Sequence, residues 1–156
     1  MIEATEFRQA LGRFATGIAV VTTLGKDGEP LGLTVNSFNS VSLDPPLVLW
    51  SLDKSSLQLD GFKTSGFYGV SILSCEQEET SNLFAMIAED RFEQTGWQAR
   101  KTGAPMIDGA LVQIDCTTEQ IIDAGDHVIL LGRVVDIAVK DGEPLIYYGG
   151  AYRDLA

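Results

Sequence analysis

An antiparallel β-barrel with peripheral helices is the fold class that the sequence predicts, and three observations predict it. Apolar, β-branched runs of strand length recur along the chain. They are joined mainly by short turns rather than by βαβ crossovers. The hexapeptide Lys-Asp-Gly-Glu-Pro-Leu stands twice, at Lys26–Leu31 and Lys140–Leu145, with no longer repeat around it. At 156 residues the chain is expected to be one domain, 1–156, with one core.

The elements follow in order. Residues from about Thr5 to Ala15 read as a helix, with Phe7, Leu11 and Phe14 at i, i+4 and i+7, and Gly17 ends it. Ile18 to Leu24 is β-branched and predicts a strand. Asp27-Gly28 then signals a hairpin, because Gly accepts the positive φ of a tight turn. The returning strand runs to Ser42, and Asp44-Pro45-Pro46 breaks it. Leu47 to Leu52 is almost continuously apolar and predicts a strand buried on both faces. Ser55-Ser56-Leu57-Gln58 has the Ser-x-x-Gln form of a capping box and predicts a short helix. Phe67 to Leu73 is another strand. Ser74-Cys75-Glu76-Gln77 is a second capping box, leading a helix with Leu83, Phe84 and Ile87 on its apolar stripe. Glu89 to Asp108 has no clear period and predicts a loop. Three strands close the chain, at about Ala110–Ile122, Val128–Val139 and Pro144–Tyr148.

The composition excludes several functions. A net charge of −11 argues against nucleic acid and against anionic membranes. No apolar run approaches the ~18–20 residues of a membrane span. The acidic Met-Ile-Glu-Ala-Thr-Glu opening is unlike a signal peptide, so a cytoplasmic location is expected. A lone histidine, His127, and two distant cysteines, Cys75 and Cys116, form no metal motif and no disulfide framework. No Gly-x-Gly-x-x-Gly follows a strand, and no Gly-x-Ser-x-Gly elbow is present. An enzyme built on this chain would rely on a cofactor.

Gly32 to Ser42 carries the strongest functional signal. It reads Gly-Leu-Thr-Val-Asn-Ser-Phe-Asn-Ser-Val-Ser, with no charge anywhere. A polar strand face of small neutral donors and acceptors suits a flat, polar-edged ligand better than bulk water. The strand end Trp50-Ser51, running into Ser55-Ser56 beside Lys54, offers either plain helix capping or a phosphate seat. Gly125-Asp126-His127 offers either a turn with an ordinary histidine or a hydrogen-bonding group at a cofactor face. Tyr147-Tyr148-Gly149-Gly150-Ala151-Tyr152 suits ring stacking, a dimer contact or a core edge equally.

Six segments taken together carry a resemblance. They are Leu11–Gly17, Gly32–Phe38, Asp44–Val48, Ser55-Ser56, Gly125–His127 and Gly149–Tyr152, in that order. The chain resembles the flavin reductase family, the short-chain NAD(P)H:flavin oxidoreductases of two-component monooxygenases, from about Phe7 to Tyr152. The resemblance implies a Greek-key split β-barrel of FMN-binding type, usually a homodimer, binding FMN or FAD. It implies that Thr34, Val35, Asn36, Ser37 and Phe38, with Ser40, line the isoalloxazine ring. It places Trp50, Ser51, Ser55 and Ser56 at the ribityl and phosphate portion, and Phe84 and Ala85 near the flavin. It places His127 beside the nicotinamide as the catalytic residue, with Tyr152 near the same face. The implied reaction is hydride transfer from NAD(P)H to flavin, with reduced flavin leaving for a partner monooxygenase. The alternative is a flavin-binding electron carrier or storage protein with the same barrel and no reductase activity. The absence of a basic cluster for a 2′-phosphate favours NADH over NADPH.

Overall fold

The computed structural model describes residues 1–156, and its main feature is one curled, seven-stranded antiparallel sheet. The chain opens with helix α1 (Ala4–Leu11) and a two-residue strand β1 (Thr16–Gly17). β2 (Ala19–Leu24), β3 (Pro30–Val35), β4 (Asn39–Leu43) and β5 (Pro46–Asp53) follow. Helix α2 (Leu59–Ser65), β6 (Phe67–Ile72) and helix α3 (Glu78–Ala85) come next. β7 (Trp97–Ala99), β8 (Pro105–Ile107), β9 (Val112–Ala124), β10 (His127–Val139), β11 (Ile146–Tyr148) and β12 (Ala151–Arg153) complete the chain. Seven strands form one sheet in the order β3-β2-β6-β9-β10-β5-β4. No helix is long and apolar enough to cross a membrane.

The two edge strands of that sheet, β3 and β4, are consecutive in the chain. Only Asn36, Ser37 and Phe38 join them, and three residues reach roughly 10–14 Å at most. The sheet therefore bends until its two edges face each other, although no backbone ladder closes them. This corrects the expected single strand from Gly32 to Ser42. One continuous strand cannot pair with β2 at one end of the sheet and β5 at the other, so the chain breaks at Asn36–Phe38. Ser37 replaces the missing ladder. Its Oγ accepts from the Ser51 amide at 3.0 Å and lies 3.3 Å from the Ser51 carbonyl, continuing the Asn39–Leu49 register.

Alternation builds the core inside the curl. Ala19 and Val21, Val48, Trp50 and Leu52, Tyr68 and Val70, Ile114 and Cys116, and Val128 and Leu130 all point inward. Phe62 of α2 plugs one end, and Trp50 meets its ring edge-on at 4.9 Å and that of Tyr68 at 5.8 Å. β5 is thus fully buried on one face only; Leu47, Leu49 and Ser51 are half-exposed, which corrects the expectation of two buried faces. β2 is buried on both. Its Ile18–Val20 side joins Leu73, Phe84, Ile107 and Leu145 in a second cluster outside the sheet.

Other expectations shift for local reasons. The first helix stops at Leu11 because the Arg13 and Phe14 amides bond three residues back, unwinding it. Its Phe7, Leu11 and Phe14 are all exposed. The segment expected to be irregular holds a 3-10 turn at Arg91–Glu93 and the β7–β8 hairpin. The repeated hexapeptide closes the β2–β3 hairpin in its first copy, but its second copy is an irregular link in which Pro144 bridges Ser74. The final hairpin, β11–β12, turns on Gly149 and Gly150, both at positive φ, as a two-residue loop between register partners Tyr148 and Ala151 demands.

Candidate functional site

Thr34, Val35 and Asn36, the last turns of chain before the break, form a wall shared by adjoining cavities. A cavity of about 520 Å³ lies between this wall, α3 and the C-terminal hairpin, bordered by Asn82, Ala85, Tyr147 and Tyr152. A second, of about 260 Å³, is bordered by the same wall with Ser37, Ser51, Ser56 and His127. A third, of about 230 Å³, takes Val35, Asn36 and Phe38 on one side and Thr16 and Gly17 on the other. Their sizes fall in the range of small-molecule sites or just below it. A wider groove of about 930 Å³ lies elsewhere, between the first hexapeptide turn and α2, and none of the expected site residues borders it.

The fold thus gathers ten of the expected residues: Thr34, Val35, Asn36, Ser37, Phe38, Ser51, Ser56, Ala85, His127 and Tyr152. Four stand differently. Trp50 is fully buried in the inner core and Phe84 in the outer cluster, so neither ring borders these cavities. Ser40 is exposed on edge strand β4 and borders none of them. Ser55 is exposed, and its amide and hydroxyl both donate to Asp53 Oδ1, at 2.8 and 2.7 Å.

That last contact overturns the first capping box. The helix begins at Leu59, not at Ser55, and no side chain caps it. The Gln58 side-chain Oε1 accepts instead from the Gly32 amide at 2.6 Å, fastening α2's approach to β3. The second box is half made: Gln77 Oε1 accepts from the Ser74 amide at 3.0 Å, while its Nε2 donates to the Asp108 carbonyl. The two hydrogen bonds from Ser55 hold the Asp53 carboxyl below its ordinary range, which keeps a negative charge on this rim. Lys54, the expected cation, is paired with Asp123 at 2.5 Å. No Lys or Arg borders any of the three cavities.

His127 opens β10 opposite Asp53 of β5. Its Nδ1 lies 2.7 Å from Asp126 Oδ1, which orients the ring and leaves Nε2 without a protein partner. Tyr152 stands across the wall from it. Its ring packs tilted on Tyr147 at 5.7 Å, and its hydroxyl meets Ser81 and Asn82 of α3. Asn82 and Tyr147 were missed as site residues. The aromatic C-terminal segment had flagged the second, whereas a single Asn on a short helix carries no sequence signal.

Residues 11–156 match a family described as flavin reductase like domain. The reductase component of the flavin-dependent trigonelline monooxygenase of Acinetobacter baylyi is 47% identical over 147 residues, 94% of this chain and 47% of that protein. This chain therefore spans about half the length of that relative. FMN reductase (NADH) SmoA of Agrobacterium fabrum is 44% identical over 146 residues, covering 94% of this chain and 83% of that protein. A solved structure of Streptomyces globisporus NADH:FAD oxidoreductase SgcE6, in complex with NAD and FAD fragments, superposes with a TM-score of 0.94. It is 35% identical, and the match covers 99% of this chain and 93% of that one. This chain belongs to the flavin reductase-like domain family.

Proposed function

We propose that this protein reduces FMN or FAD with NADH and releases the reduced flavin to a partner monooxygenase. The observation that carries the reading is the uncharged Thr34–Asn36 wall, with His127 at one cavity and Tyr152 at another that it shares. The names of the relatives support it. A bound flavin would supply the hydride-accepting ring. The chain's own residues bind, orient and shield. Val35 and Phe38 give the wall apolar area for a ring face, and the Asn36 amide is free to meet a polar edge. Ser56, whose Oγ accepts from the Gln58 amide at 3.2 Å, keeps its own proton for a ligand oxygen. His127, held by Asp126, offers Nε2 to the nicotinamide side.

The phosphate has no cation in the lining. Neutral donors would hold it, with Lys54 recruited from Asp123, and such a seat favours a flavin that exchanges rather than one held permanently. We read the curled sheet as a Greek-key split barrel, open where the Ser37 side chain stands in for a ladder. We read residues 1–156 as one domain, in the cytoplasm, paired as a homodimer. The bare apolar side chains of α1, and Ile137 and Val139 at the end of β10, support the pairing.

The test is NADH oxidation by the purified protein with FMN or FAD added. Turnover that depends on flavin is expected. No stimulation by either flavin overturns the reading, and a flavin that survives dialysis and is not bleached by NADH identifies a carrier instead. His127→Ala is expected to slow NADH oxidation more than it weakens flavin binding.

A further inference from the structure

A hydrogen-bond chain runs along the α3 side of the 520 Å³ cavity, from Ser81 through Tyr152 to Asn82. Tyr152 Oη donates its single proton to Asn82 Oδ1 at 2.9 Å. Ser81 Oγ, 2.7 Å from the same Oη, must then be the donor in that contact. Ser81 is fully buried, and its carbonyl accepts from Thr34 Oγ1 at 2.6 Å, which ties α3 to the shared wall. The Tyr152 hydroxyl is thus engaged inside the protein. It has no proton left for a ligand, and Tyr152 serves the cavity with its ring. Asn82 is the reverse case. Its oxygen is taken, so its orientation is fixed, and its Nδ2 carries two donors with no protein partner on an exposed residue bordering the cavity.

We propose that Asn82 is a ligand-contacting specificity residue, donating from Nδ2 to the carbonyl oxygen of the nicotinamide carboxamide. The inference rests on the reductase reading and adds a residue to it. The chemistry selects a carbonyl acceptor, because a fixed amide N–H pair beside an aromatic ring wall recognises the acceptor edge of a flat heterocycle. Ser81 and Tyr152 are positioning residues: they set the amide and do not themselves meet the ligand.

Three variants separate donation from support. Asn82→Asp keeps the oxygen that accepts from Tyr152 and removes both donors. Asn82→Ala removes everything, and Tyr152→Phe removes the hydroxyl that sets the amide. Steady-state kinetics and calorimetric titration of NAD⁺ into the flavin-loaded protein are the readouts. The NADH KM and the NAD⁺ dissociation constant are expected to rise about tenfold in both Asn82 variants, the loss of about one good hydrogen bond. Tyr152→Phe should fall between these and the wild type in both constants. Wild-type behaviour in Asn82→Asp, with loss confined to Asn82→Ala, makes Asn82 a mere prop and overturns the proposal. So does a loss that appears in flavin affinity instead. A wild-type protein that neither oxidises NADH with flavin nor binds NAD⁺ overturns the reductase reading as well, so the two failures are distinguishable.

Discussion

Inside the curled sheet, Trp50, Phe62 and Tyr68 pack edge-to-face, with strand residues alternating toward them from six strands. Outside it, six buried residues from β2, β8, α3 and the connecting segments form a thinner layer, with Phe84 against Phe92 at 4.9 Å. β2 belongs to both. The inner cluster borders the candidate site through Ala19, Val35 and Leu52. The outer one carries the site's far wall, since its Ile18, and Tyr147 and Tyr152 packed on it, border the 520 Å³ cavity. Stability and ligand geometry are therefore assigned to different layers, and substitutions can pull them apart.

The largest expected effect is in the inner layer. Trp50→Ala should cost about 3–5 kcal/mol of stability, measured by denaturant unfolding. Trp50→Phe is the sharper probe. The indole Nε1 has no hydrogen-bond partner, so Phe strands no polar group and removes mainly volume. Stability should fall while flavin affinity holds. A collapse of flavin affinity without loss of stability would break the assignment of Trp50 to the core.

Next comes overpacking. Gly132 of β10 lies under the fully buried Tyr68 ring, and a β-carbon there would meet the Tyr68 hydroxyl and the Cys116 side chain. Gly132→Ala should cost about 1–3 kcal/mol. Adding Tyr68→Phe should return part of that loss, although it also removes the Tyr68 hydrogen bond to the Leu130 carbonyl. Additive losses in the double-mutant cycle would show that the crowding is relieved elsewhere.

What the sequence disclosed follows the same division. The inner layer was legible because strand alternation is a period-two signal: Val48-Trp50-Leu52 and Val128-Leu130 announce an inward face on their own. The charge-free wall was legible because a missing polar class is a compositional fact. The break at Asn36–Phe38 was not. Nothing local distinguishes a continuing strand from one that changes partners, since the partner is fixed by sheet order. The first capping box failed for a related reason. Gln58 has a competing donor at Gly32, far off in sequence, and Asp53 reaches Ser55 first. Asn82 gave no signal because its meaning comes from Tyr152, seventy positions away.

In the outer layer, Phe84 is held by its neighbours rather than enclosed by a sheet. The Arg91 guanidinium lies 5.3 Å from its ring centroid and donates to its carbonyl at 3.1 Å. Phe84→Leu should cost on the order of 1 kcal/mol, because a layer open at one side can settle onto the smaller side chain. Its effect on ligand binding should be larger in proportion. As α3 shifts, flavin or NADH affinity is expected to fall severalfold at near-constant stability, the reverse of Trp50→Phe.

The smallest effect concerns the two thiols, which report the layers separately. Cys116 is buried in the inner cluster, and Cys75 is exposed beside the outer one. Burial first, and then the charge of Asp115, push the Cys116 thiol from its ordinary 9.0 up to about 12. The stabilisation from keeping it neutral is fully present below pH 9 and is lost as the pH rises through 12, so stability should decline over that alkaline range. At pH 8 a thiol-reactive chromophore should label one cysteine per chain rapidly and the second only on unfolding. Gly132→Ala, which disturbs the residue packed on Cys116, should hasten the slow reaction. Phe84→Leu should leave it nearly as slow as in the wild type while ligand affinity falls. Equal acceleration in both variants would mean that the two layers open together, and the separation of stability from ligand geometry would not survive it.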